Sequence, residues 1–134
     1  MSLLNKNKFK LLTEILSDKT VKLDAYKSTI DYYNSNKTKF ITMLRASDNM
    51  SDDAIDEKAK EIIKGNPYLN MQYKIDKVIY QIERSTKRLS SNDVSDLEKK
   101  SIQENIATSN KQLNELKAEL NKKIKDDLSD INND

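Results

Sequence analysis

Between Phe9 and Leu44 the chain advances by alternating steps of three and four residues, through Phe9, Leu12, Leu16, Lys19, Leu23, Tyr26, Ile30, Tyr33, Lys37, Phe40 and Leu44. Nine of these eleven positions are apolar or aromatic, so the stripe has the 3.5-residue period of an α-helix whose seam faces another helix. A strand would need a period of two, and no alternating β-branched run occurs anywhere in the chain. Leu11, Ile15 and Ile41 widen the stripe beyond a narrow coiled-coil seam. That width favours packing in a bundle over a lone two-stranded coil.

The same logic divides the rest of the sequence into helices. The first predicted helix spans 5–46, about 60 Å at about 1.5 Å per residue. Its weak point is Asn34-Ser35-Asn36, residue types that bond to nearby backbone and suit caps and turns. The heptad register passes through them without slipping, so a continuous helix, kinked at most, is expected. Ser47-Asp48-Asn49 breaks the pattern. Ser51 then caps a short helix over 52–64, with Asp52, Asp53, Asp56 and Glu57 near the positive end of its dipole and Ile55, Ala59, Ile62 and Ile63 on one face. Gly65 closes that helix, and Asn66-Pro67 opens the next, with proline at the first helical position.

The helix predicted over 67–89 returns to the heptad with Tyr68, Met71, Ile75, Val78, Ile82, Ser85 and Leu89. Ser90 to Asp93 supply a turn, and a last helix over 94–128 carries Leu97, Ile102, Ile106, Leu113, Leu116, Leu120, Ile124 and Leu128. So short a connection makes these two helices antiparallel neighbours. Residues 129–134 are expected to fray. The predicted fold is all-α: an elongated helical bundle or coiled coil, with a long N-terminal helix, a short connecting helix and a C-terminal antiparallel helical hairpin. At 134 residues, 1–134 is expected to form a single helical domain.

Composition narrows the chemistry. Histidine and cysteine are both absent and there is one glycine, which excludes the usual zinc sites, histidine-dependent nucleophile systems and glycine-rich phosphate cradles. No Glu-x-x-Glu pair occurs. The pairs Asp53/Asp56 and Asp93/Asp96 lie at helix starts, where capping accounts for them. No catalytic residue, metal ligand or cofactor-binding residue is therefore expected, and no small-molecule substrate is evident.

Charge is laid out in blocks: the net values over 1–46, 47–65, 66–90 and 91–134 are +5, −3, +3 and −3. Neighbouring helices of opposite sign offset each other's field, which points to complementarity within the chain or between subunits. The expected function is thus non-enzymatic: protein–protein interaction or structural assembly, as an adaptor, chaperone-like, scaffold or virion-type component. Its interaction seam would be Phe9, Leu12, Leu16, Leu23, Tyr26, Ile30, Tyr33, Phe40 and Leu44, and its partner another protein or a second copy. The alternative is a nucleic-acid-binding accessory protein that uses the basic first and third helices. Its candidate contacts are Tyr32, Lys37, Lys39, Arg45, Arg84, Lys87 and Arg88, because cations beside aromatic rings suit single strands. No signal peptide or membrane-spanning segment is evident, so a cytoplasmic or virion-associated location is the default expectation. The abundance of Lys, Asn and Ile hints at a bacterial or viral source.

Overall fold

A computed structural model describes the backbone of residues 3–133 and the side chains of 18–133. Every regular element among the described residues is helical: α1 (Leu3–Asn36), α2 (Lys39–Arg45), α3 (Asp52–Ile63), α4 (Pro67–Leu89) and α5 (Asp96–Asn133). The chain exposes 9801 Å², against about 7200 Å² for a compact protein of its mass. It is elongated, and α5, with 38 residues, is its longest element at about 57 Å.

The first predicted helix, 5–46, is bent and interrupted. Lys37 and Thr38 form a turn between α1 and α2. The cause lies in the Asn34-Ser35-Asn36 segment: the Asn36 side chain, buried, donates from Nδ2 to the Tyr32 carbonyl at 2.7 Å, one helical turn back. Such a bond competes with the backbone ladder and bends the helix. Thr38 stays in the right-handed helical region (φ −89°, ψ −6°), so the chain bends without reversing.

α3 begins at Asp52, where Ser51 accepts a hydrogen bond from the Ala54 N–H at 3.2 Å. It stops at Ile63 because Lys64 already adopts the left-handed conformation (φ 45°), followed by Gly65 at φ 74°. The reversal thus uses two left-handed residues, one of them not glycine. Asn66 caps α4 through Oδ1, which accepts from Tyr68 N at 3.0 Å and Leu69 N at 3.1 Å. Two boundaries differ from the sequence expectation at α5. It starts at Asp96, not 94, since Ser95 Oγ takes the Glu98 N–H and acts as the cap. It also continues through 129–133, where fraying was expected; there Lys19 Nζ donates to the Asn132 carbonyl at 3.1 Å.

α4 is the centre of the packing. It runs antiparallel to α5, as the pairs Tyr68 with Asp127 and Arg88 with Glu98 show at its two ends. On its other side α2 runs parallel to it, with the Phe40 and Tyr73 rings 5.4 Å apart and Arg45 bonded to Glu83. α3 joins this side through the Tyr73 hydroxyl, which donates to Asp56 Oδ1 at 2.6 Å. α1 meets α4 near the bend, where the Tyr33 and Tyr68 rings pack edge to face at 6.1 Å. The core lies at this convergence, and Phe40 and Leu69 are its fully buried large side chains. The C-terminal part of α5 extends past α4 and runs antiparallel along α1, with Tyr26 Oη donating to the Ile124 carbonyl at 3.3 Å.

Candidate functional site

Two sets of side chains carry the sequence-derived candidates: the heptad seam that runs through α1 and α2, and the basic and aromatic residues on α1, α2 and α4. Along the seam, Tyr33, Phe40 and Leu44 are buried, whereas Leu23, Tyr26 and Ile30 are half-buried. The side chains of Phe9, Leu12 and Leu16 lie outside the described residues. Lys19 is half-buried on α1 and spends its ammonium on α5, while Lys37 is exposed with Nζ 5.5 Å from the centre of the Tyr33 ring. Neither lysine sits in a closed core, consistent with long aliphatic stems that carry their charge to the edge of a seam.

The C-terminal helix has the same half-covered character. Of its heptad positions only Leu120 is buried, and Ile102, Ile106, Leu113, Leu116, Ile124 and Leu128 are half-buried; Leu97, five residues before Ile102, falls off this stripe on the opposite face and is 81% exposed. Val21, two residues from Lys19 and from Leu23 and so on the face of α1 opposite the stripe, is 64% exposed. An apolar stripe with one helix against it keeps its other flank in water, where covering it yields about 25 cal/mol per Å².

The basic and aromatic candidates divide into two sets. Tyr32 is half-buried against the core, and its hydroxyl donates to the Ile62 carbonyl at 2.7 Å, so it is a packing residue that fixes α1 on α3. Lys37 and Lys39 are exposed near the bend. Arg45, Arg84, Lys87 and Arg88, by contrast, line one cleft of about 780 Å³ between α2, the loop that follows it and the second half of α4. Arg45 donates from Nε to Glu83 Oε2 at 3.1 Å. That hydrogen bond, with the attraction between the charges, holds the arginine further protonated and the Glu83 carboxyl below its usual range. Arg88 stands 3.8 Å from both Asp93 and Glu98, and Arg84 lies over the Tyr80 ring at 5.7 Å.

Tyr80, Asp48 and Asn49 also line this cleft, and none was a sequence candidate. A signal was present: Tyr73 with Lys77 and Tyr80 with Arg84 repeat a ring-plus-cation pair four residues apart, one heptad on.

Tyrosine hydroxyls tie the elements together around the core. Tyr68 Oη donates to Asp127 Oδ2 at 2.7 Å, and burial together with that carboxylate pushes the phenol well above its ordinary range. Tyr73 is raised in the same way by burial and by Asp56, whose own carboxyl is held down first by the Tyr73 hydrogen bond and then by Lys77. The buried carboxyl of Asp76 is different. Its Oδ1 accepts from Gln72 Nε2 at 3.0 Å, and Gln72 Oε1 accepts from Tyr33 Oη at 2.8 Å. Burial raises this carboxyl against the opposing pulls of Gln72 and of Lys117 on α5.

Among the described residues no three carboxylates converge as a metal site would require, and no helix is long and apolar enough to cross a membrane. Comparison of the chain with protein-family models, with curated proteins and with solved structures gives no match.

Proposed function

We propose that this protein is a non-catalytic interaction or assembly subunit that docks another helix, from a protein partner or a second copy, along the half-covered seams of α5 and α1. The observation that carries this reading is the burial of α5: a 38-residue helix with a sustained heptad stripe in which Leu120 alone is buried. Within the chain that stripe meets α4 over much of its length and α1 near its end, and its apolar positions other than Leu120 stay half-buried. A further helix laid beside it would complete a three-helix layer of the kind that heptad seams support. The alternating charge blocks supply steering and register for such a partner.

The test combines sedimentation equilibrium with crosslinking and pull-down from the native host. Self-association at micromolar concentration, or capture of a discrete partner whose crosslinks map to α5 or α1, is the expected result. A monomer across that range with no partner recovered would sink the reading.

A further inference from the structure

A second cleft, of about 370 Å³, opens between α4 and the segment from Ser47 to Asp56, and it shares Asp48, Tyr80 and Arg84 with the basic cleft. The two form one furrow along α4. Its α4 wall is Lys77, Tyr80 and Arg84, at steps of three and four residues, with Lys87 and Arg88 three and four residues beyond Arg84, which places them along one side of the helix. From Lys77 to Arg88 this face extends about 16 Å.

The cations are not equally committed. Arg45 is bound to Glu83, and Lys77 lies 3.7 Å from Asp56. Arg88 has only long contacts, at 3.8 Å, to Asp93 and Glu98. Among the described residues Arg84 has the Tyr80 ring and no carboxylate, and Lys87 has no ionic partner. An independent observation lies in the same wall: the Tyr80 hydroxyl is buried with no hydrogen-bond partner among the described residues. Such a group is costly to maintain unless an acceptor is supplied.

We propose that this furrow binds a single strand of nucleic acid through its phosphodiester backbone. The cations are strung along the α4 wall and do not converge on a point, while Asp48, Asp52 and Asp56 line the opposite wall, so a polyanion meets the cations in succession along the α4 side where a small phosphate ester would engage one or two. One ring, Tyr80, lines both clefts beneath Arg84 and adds a surface on which a base stacks irrespective of sequence, whereas Tyr73 is buried against Phe40. An acidic polypeptide would use the charges and leave the Tyr80 ring idle. This binding face lies on α4, and it does not depend on the assembly reading.

The test is fluorescence anisotropy of the full chain with a labelled oligothymidylate of about twelve nucleotides, within the usual range of single-strand site sizes. Binding should weaken with salt at a log–log slope of about −2, as expected for roughly three phosphates on a single strand. The double variant Arg84→Glu/Lys87→Glu should lose at least tenfold in affinity, and Arg84→Gln/Lys87→Gln several-fold, with helical circular dichroism unchanged because both side chains are exposed. Lys111→Gln/Lys122→Gln, which removes two exposed cations of α5, should bind as the parent does. Absence of binding at low salt, an equal loss in the α5 variant, or displacement by polyglutamate as effective as by unlabelled oligonucleotide would each overturn the proposal. The last result would assign the furrow to an acidic polypeptide.

Discussion

At the scale of single residues, the buried polar groups decide most of what can be tested. Tyr68 and Tyr80 make a matched contrast, since the Tyr68 hydroxyl has the Asp127 carboxylate at 2.7 Å and the Tyr80 hydroxyl is buried without a partner among the described residues. A hydrogen bond to a charged group contributes about 1.5–3 kcal/mol, and an unsatisfied buried group costs about 1–3 kcal/mol. Tyr68→Phe should therefore destabilise the chain by about 2 kcal/mol, and Tyr80→Phe should stabilise the unliganded chain by about 1 kcal/mol, both read from urea midpoints at constant m. Equal effects of the same sign would show that the hydroxyls do not differ as described. Asp76 adds a pH dependence. Its folded carboxyl titrates above its unfolded value, so the folded state holds the proton more tightly. The stabilisation linked to this proton is complete below the unfolded value and is lost as pH rises through the folded one. Asp76→Asn keeps an oxygen for Gln72 and never ionises. It should raise the thermal midpoint at neutral pH, and the gain over the parent should shrink as the medium is acidified. A gain independent of pH would assign the effect to packing instead.

At the scale of elements, Asn66 joins three links at once. Its Oδ1 caps α4, while its Nδ2 donates to the Thr29 carbonyl of α1 at 3.0 Å. Loss of an N-cap costs about 1 kcal/mol, and a further buried hydrogen bond about as much. Asn66→Ala should accordingly destabilise by about 2 kcal/mol or more. Asn66→Asp, which retains the cap oxygen and loses the donor, should fall between Ala and the parent in thermal denaturation. If Asp and Ala behave alike, the tie to α1 dominates and the cap contributes little. The helical class and the antiparallel pairing of α4 with α5 were legible in the sequence because periodicity and a four-residue turn determine them locally. The bend after Asn36 was half legible: Asn34-Ser35-Asn36 marked the place, but whether the Asn36 amide would take a backbone carbonyl depends on its burial, a tertiary property. The furrow was less legible still. Arg84, Lys87 and Arg88 could be named from composition, yet Asp48 and Asn49 come to its wall only because α2 packs parallel to α4. Tyr32 looked like a free ring from its off-seam position, and α3 covers it.

At the scale of the whole molecule, an excess surface and a half-buried long helix describe the same property: the chain spreads its apolar residues along seams, with one compact core where α1 to α4 converge and α5 contributes Leu120. This arrangement separates stability from association, because the fully buried core residues differ from most of the half-buried seam residues. Ile106, half-buried on the α5 stripe, is the sharpest probe of that separation. Ile106→Glu should lower stability by about 1–2 kcal/mol, the scale of a partly buried aliphatic side chain. In a docked seam the carboxylate would also have to be buried or the seam opened, and a charge resists transfer out of water. Association with a second copy or a partner should therefore weaken at least tenfold, about 1.4 kcal/mol, in sedimentation equilibrium or quantitative pull-down under conditions where circular dichroism shows the variant folded. Leu97→Glu and Val21→Glu are the controls: these side chains are 81% and 64% exposed on helix faces opposite the stripes, so each should leave association and the unfolding midpoint unchanged. Full association in Ile106→Glu, or an equal loss in the two controls, would show that docking does not use the α5 stripe.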